Sequence, residues 1–149
     1  MRLYVLIAAA LAGCSTVREP WPAVWRGNPA EVWALQSLQG KRVSERPGYT
    51  ATIRFNPDRT ISGTAACNSV SSGKLRWNDA VGETQGTFNQ AGHGDAIMTT
   101  VGCRDPEASV VAGKFWSLLE EARTWRIQED RLTITFDDGS EARLVRLSR

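Results

Sequence analysis

Ala51-Thr52-Ile53-Arg54-Phe55-Asn56-Pro57-Asp58-Arg59-Thr60-Ile61-Ser62-Gly63-Thr64-Ala65-Ala66-Cys67 is the stretch that decides the fold. Ala51, Ile53 and Phe55 alternate with Thr52 and Arg54, a period of two that sends one set of side chains to a core and the other to water. Asn56-Pro57-Asp58-Arg59 then supplies turn chemistry: proline presets φ, and the Asn and Asp side chains bond to nearby backbone. The chain resumes an extended pattern from Thr60 to Cys67, so the whole stretch predicts an antiparallel hairpin.

The same pattern recurs on both sides. Near the carboxyl end Leu132, Ile134 and Phe136 alternate with Thr133 and Thr135, and Asp137-Asp138-Gly139-Ser140 turns the chain into a partner strand from Glu141 to Leu147, a second hairpin. Upstream, Trp33, Leu35 and Ser37 alternate with Ala34 and Gln36 until Gly40 breaks the run. Lys74 to Trp77 and Thr87 to Gln90 are weaker strand candidates. Between the halves lies one helix signal: Asp105 as N-cap, Pro106 at the first helical position, and Glu107 where an acid complements the macrodipole. Val111, Phe115, Leu118, Leu119 and Ala122 form its expected apolar stripe, with Lys114, Glu120, Glu121 and Arg123 facing water. Such a helix covers a sheet core or, alternatively, binds a partner. About eight short strands with one helix predict a mainly β, α+β domain: a small antiparallel, barrel-like curved sheet, whose curvature or closure limits exposed edges, with an amphipathic helix packed against it.

Composition agrees with one globular domain. The chain has 149 residues, is 42% hydrophobic and 23% charged, and holds 13 Gly and 6 Pro, which excludes a collagen-like or wholly disordered chain. A formal charge of +2 is too mild for a nucleic-acid-binding surface. The three cysteines are an odd number, so at least one thiol needs an explanation of its own.

That explanation lies at the amino terminus. One basic residue, Arg2, precedes an uncharged run from Leu3 to Gly13, the layout of a secretory signal and only about half the roughly 20 residues a spanning helix needs. Leu11-Ala12-Gly13-Cys14 resembles the lipobox of bacterial lipoproteins at every position. The resemblance implies a diacylglyceryl thioether on Cys14, cleavage before it, and acylation of the new amine, chemistry that uses the thiolate as nucleophile. Several acyl chains anchor firmly where one does not. Ser15, in place of the Asp that marks inner-membrane retention, makes the outer membrane, facing the periplasm, the expected location. Loss of residues 1 to 13 removes Arg2 alone from the 18 basic residues and none of the 16 acidic ones, leaving a near-neutral chain. Residues 14 to 31, with three of the six prolines, are expected to be a lipidated tether whose Trp21 and Trp25 dock on the domain or rest among lipid headgroups. The domain is then 32 to 149.

Phe55-Asn56-Pro57-Asp58-Arg59 followed by Gly63-Thr64-Ala65-Ala66-Cys67-Asn68-Ser69 is similar to the signature of the META, or HslJ-like, domain. Trp33-x-Leu35 with Gly40, Thr99-x-x-x-Cys103, the helix with Phe115 and Leu118-Leu119, Leu132-Thr133-Ile134 and Asp138-Gly139 follow in that family's order. The sequence departs from it at Val101-Gly102, where Met-Ala is usual, near Val70, where an aromatic is usual, and in an added segment around Gly82 to Asp95. The resemblance implies a small antiparallel barrel-like sheet with one packed helix, in bacterial envelope proteins and lipoproteins associated with heat shock, antibiotic tolerance and motility, with no shared catalytic reaction.

With Cys14 lipidated, Cys67 and Cys103 are the remaining thiols of a chain that folds where thiols oxidise. A disulfide closing a loop of roughly 36 positions would stabilise the domain by about 3 to 4 kcal/mol. Two buried free cysteines, or a metal or redox site, are the alternatives, although a redox site usually shows Cys-x-x-Cys. His93 and Asp95 fall short of a zinc ligand set, so no metal is expected and His93 reads as a solvated loop residue. Ser62-Gly63 and Ser71-Ser72-Gly73 lack the nucleophile-elbow pattern, Glu120-Glu121 and Asp137-Asp138 read as surface and turn carboxylates, and no phosphate-cradling glycine motif occurs. No catalytic residue and no cofactor is expected, and a hydrolase ranks third. Trp77, Phe88, Trp116 and Trp125 fill the interior or enclose an apolar ligand. The expected function is a non-enzymatic, lipid-anchored envelope protein that contacts a protein partner or a surface in envelope maintenance or stress and antibiotic tolerance. The alternative is a carrier of a lipid-like or other apolar small molecule. An opening among the aromatics favours the carrier; a filled interior with an exposed apolar patch favours the partner-binding module.

Overall fold

The computed structural model describes residues 31–44, 49–79 and 84–147. The expected signal segment, Cys14, Trp21 and Trp25 lie outside the described residues. The chain forms β1 (Trp33–Leu38), β2 (Lys41–Arg42), β3 (Thr52–Phe55), β4 (Ile61–Ala65), β5 (Asn68–Ser71), β6 (Arg76–Asp79), β7 (Gln85–Asn89), β8 (Ile97–Met98), α1 (Pro106–Leu119), β9 (Ala122–Gln128), β10 (Arg131–Phe136) and β11 (Glu141–Arg146). Among the described residues every pairing is antiparallel, in the order β6-β7-β9-β10-β11-β1-β3-β4-β5-β8, with β2 against β1. Among the described residues the result is a curled, half-barrel sheet carrying a single helix.

Both predicted hairpins are present. Thr52 faces Thr64 and Phe55 faces Ile61 across β3 and β4, and Arg131 faces Val145 through Thr135 facing Glu141 across β10 and β11. Asp58 closes the first turn by accepting from the Thr60 hydroxyl at 2.6 Å and the Thr60 amide at 3.0 Å, while Asp138 accepts from the Ser140 amide at 2.8 Å in the second. Gly63 is required where it stands, because a Cβ there would overlap the backbone carbonyl of Thr52 on the neighbouring strand.

The curled sheet brings β6 against the first turn. The Trp77 amide on β6 donates to the Arg59 carbonyl at 3.1 Å, and the Trp77 indole N–H donates to the Asn56 carbonyl at 3.1 Å. The inward set of side chains is buried throughout: Trp33, Leu35, Ile53, Phe55, Ile61, Trp125, Ile127, Leu132, Ile134, Phe136, Ala142 and Leu144. Each fully buried large apolar side chain contributes about 1.5 to 3 kcal/mol relative to exposure.

The helix begins as expected, with the Asp105 carboxylate accepting from the Ala108 amide at 3.0 Å and Pro106 opening the first turn. Its buried stripe is Ala108, Ala112, Phe115, Trp116 and Leu119, one residue out of phase with the predicted stripe; Val111 and Leu118 are only half-buried. Ala122 is not helical at all. The helix ends at Leu119, and Ala122 opens β9, where the Asp137 amide donates to the Glu121 carbonyl at 3.1 Å. The expected eight strands become eleven among the described residues. Beyond the seven runs named from the sequence, the short strands β2, β5 and β8 and the long β9 are the additions, and the segment around Gly82 to Asp95 contributes β7 to the sheet.

Candidate functional site

The four aromatics singled out in the sequence do not form one group. Trp77, Phe88 and Trp125 meet around Phe55, whose ring centroid lies 5.7 Å from Trp77, 6.1 Å from Phe88 and 5.7 Å from Trp125. Trp77 and Trp125 close the cluster edge to face at 6.3 Å, a favoured arrangement of ring quadrupoles. Alternation on β3 turns Phe55 inward, and Phe55 is the member of this cluster that sequence reasoning passed over. Trp125 lies against Gly86, leaving no room for a Cβ there, and its indole N–H donates to the Asn78 carbonyl at 3.0 Å. Trp116 stands apart on α1, edge to face with Phe115 at 6.2 Å, its N–H donated to the Thr64 carbonyl at 2.9 Å. All four side chains are buried against protein, with Trp77 and Trp125 at 0% and 1% exposure.

A second cluster explains the spacing of Cys67-Asn68-Ser69 and Thr99-x-x-x-Cys103. Cys67 lies in the two-residue loop between β4 and β5, where Ala66 has φ 54°. The Cα atoms of Cys67 and Cys103 are 5.6 Å apart and their sulfurs are joined in a disulfide. Asn68 bridges the same two segments: its carbonyl oxygen accepts from the Val101 amide at 2.6 Å and the Thr99 hydroxyl at 3.3 Å, and its amide nitrogen faces the Cys103 sulfur at 3.7 Å. Ser69 and Thr99 exchange two bonds, the Ser69 amide to the Thr99 hydroxyl and the Thr99 amide to the Ser69 carbonyl, each 3.0 Å. These residues clamp the segment 97–103 onto β5.

The clamp holds apolar side chains out in water. Ile97 is 77% exposed, Met98 48% and Val101 60%, and β8, which carries the first two, ends the strand order. Upstream, the Gly92 amide donates to the Lys74 carbonyl at 2.8 Å and Lys74 pairs with Asp95 at 3.0 Å, a contact that raises the Lys74 pKa. His93 in that loop is exposed, and among the described residues no three His, Cys, Asp or Glu side chains gather as a metal site. Glu120, Glu121, Asp137 and Asp138 are exposed, and Asp137 makes a two-pronged pair with Arg123. Among the described residues no helix is long and apolar enough to cross a membrane.

Comparison with known proteins places the chain. None of the curated proteins matches it. Two NMR structures resemble it in fold: one shares 20% identity over 80% of this chain and 92% of its own, with a TM-score of 0.52. The other, of a protein from Burkholderia xenovorans, shares 17% identity over 96% of this chain and 100% of its own, with a TM-score of 0.53. The family model of the META domain matches residues 29–149, spanning both hairpins, the cysteine clamp and the helix, and the chain therefore belongs to the META domain family.

Proposed function

We propose that this protein is a non-enzymatic lipoprotein of the bacterial cell envelope, held in the outer membrane by lipid on Cys14 and facing the periplasm. Its META domain acts by contact with a partner protein in envelope maintenance or stress and antibiotic tolerance. One juxtaposition carries the reading: of the rings that a carrier would use to enclose an apolar ligand, Trp77, Phe88 and Trp125 are packed around Phe55 and Trp116 is packed against Phe115, whereas Ile97, Met98 and Val101 are braced outward on an edge of the sheet. Exposed apolar side chains grouped on a rigid support are the usual mark of a contact surface. An open sheet edge adds backbone donors and acceptors that a partner strand can use.

The test combines cross-linking in intact cells with native mass spectrometry of the recovered full-length chain. The reading expects a discrete protein adduct that the double variant Ile97→Ser/Val101→Ser loses, no retained apolar small molecule, and transfer of the protein from the membrane to the soluble fraction when Cys14→Ser is introduced. A retained lipid-like molecule, with an adduct unaffected by the double variant, supports the carrier instead.

A further inference from the structure

The outward face of the sheet carries a different feature, remote in chemistry from the apolar edge. A groove of about 720 Å³ crosses β7, β9, β10 and β11 and reaches Gln36 on β1. Its charged lining is three arginines, Arg126, Arg131 and Arg143, against one carboxylate, Glu141. The strand register gathers them: Thr133 on β10 lies directly opposite Arg126 on β9 and Arg143 on β11, and Arg131 precedes it by two residues on the same face. Directly paired residues lie about 4.5 to 5.5 Å apart, and the two outer arginines therefore flank Thr133 within about 10 Å of each other. Like charges gathered this way repel across a sheet, and a single carboxylate at the margin does not neutralise three guanidinium groups.

Two of the arginines are oriented by neighbours. Arg126 Nη2 donates to Gln85 Oε1 at 3.4 Å, and Arg143 Nη2 donates to Glu141 Oε2 at 3.4 Å. A guanidinium has five N–H donors, so these contacts spend a small part of what each presents. The rest of the polar lining is uncharged: Thr87, Thr124, Thr133 and Thr135 with Gln36, Gln85 and Gln128. Hydroxyls and amides of this kind match the alternating donors and acceptors of sugar hydroxyls, while guanidinium forks match a phosphate or carboxylate. The large exposed apolar residues Ile97, Met98, Val101, Val110 and Leu147 are absent from the groove lining, which disfavours insertion into a bilayer.

We propose that this groove binds an anionic carbohydrate, its acidic group seated among Arg126, Arg131 and Arg143 over Thr133 and its hydroxyls spread along the Thr and Gln side chains. The experiment titrates the full-length chain, in a neutral detergent, with glucose 6-phosphate, glucuronate, glucose and inorganic phosphate, read by calorimetry and by the Thr133 amide resonance. The expected result is binding of one or both anionic sugars, tighter than inorganic phosphate and tighter than glucose; the stronger of the two identifies phosphate or carboxylate as the source of charge. Arg126→Gln and Arg143→Gln should each weaken that binding by about tenfold, as expected for loss of a charge-assisted hydrogen-bonding group. Arg54→Gln, which removes the same charge on β3 outside the groove, should leave it unchanged, and thermal unfolding of each variant verifies its fold. Equal affinity for inorganic phosphate and the anionic sugars, equal losses from Arg54→Gln and Arg126→Gln, or no response to any sugar at millimolar concentration each overturn the proposal.

Discussion

Replacing the disulfide by Cys67→Ser/Cys103→Ser should lower stability by about 4 kcal/mol. The two residues are 36 positions apart, and the loop-closure entropy that the bridge removes from the unfolded chain is about 13 cal/mol/K for a loop of that size, or about 4 kcal/mol at 25 °C. In the folded state much of the clamp survives the change: Asn68 still bonds the Val101 amide and Thr99 hydroxyl, and Ser69 still exchanges bonds with Thr99. The loss therefore acts mainly through the unfolded chain, and the variant should keep its native fold. For a domain of this size 1 kcal/mol corresponds to about 3 to 6 °C in Tm, so the variant should melt at least about 12 °C lower. Thermal unfolding followed by tryptophan fluorescence measures this, because Trp33, Trp77 and Trp125 are fully buried and gain water on unfolding. A decrease smaller than about 4 °C with native near-ultraviolet dichroism retained would refute the entropic argument.

Three other outcomes follow from the same structure. Phe55→Ala removes the ring that touches Trp77, Phe88 and Trp125 and should cost about 3 to 5 kcal/mol in chemical denaturation; a cost below 1 kcal/mol would mean that the ring cluster is not the packed core described. Asp105→Ala removes the acceptor for the Ala108 amide and should cost about 1 kcal/mol, whereas Asp105→Ser should recover most of it. The Thr60 hydroxyl beside Asp58 and the Ser140 hydrogen bonds to Asp138 hold both carboxyls below their usual range. Groups depressed in the folded state contribute stability that is complete above the unfolded value and fades as pH falls through the folded one, so denaturation midpoints should be level above about pH 5 and fall below about pH 4. Asp58→Asn should flatten that acid slope, and an unchanged slope would assign it to other carboxylates.

Much of the architecture was legible because local chemistry and tertiary packing agree in it. Ile53, Phe55, Leu132, Ile134 and Phe136 keep strict alternation, their turns carry Asn, Asp, Pro or Gly, and Asp105-Pro106 is a strong helix start. β9 was hidden for a physical reason: the register shift opposite Thr135 and Phe136 places Arg123 and Thr124 outward in succession, so Ala122, Trp125 and Ile127 break the period of two. Ala122 could then be absorbed into a helical stripe, since Glu120-Glu121 carries no Gly or Pro to mark the helix end. The stripe itself slipped by one residue because Ala108 and Ala112 have small side chains and signal weakly, although both are buried. β5 and β8 were invisible as strands because Asn68, Ser69 and Ser71 favour turns and Ile97-Met98 is only two residues long. The pairing that creates β8 depends on Asn68 and Thr99 reaching across 31 residues, and the apolar patch it presents is not a local pattern. The same holds for the three arginines around Thr133, which sit on three strands and converge only in register.

The most direct measurement of the central claim is site-specific photo-crosslinking in living cells, with the photoreactive residue placed at position 97 and, for comparison, at half-buried position 54 on β3 and exposed position 123 on β9. The account predicts one discrete protein adduct from position 97 that is absent from positions 54 and 123. No adduct at position 97, or the same adducts from all three positions, would contradict it.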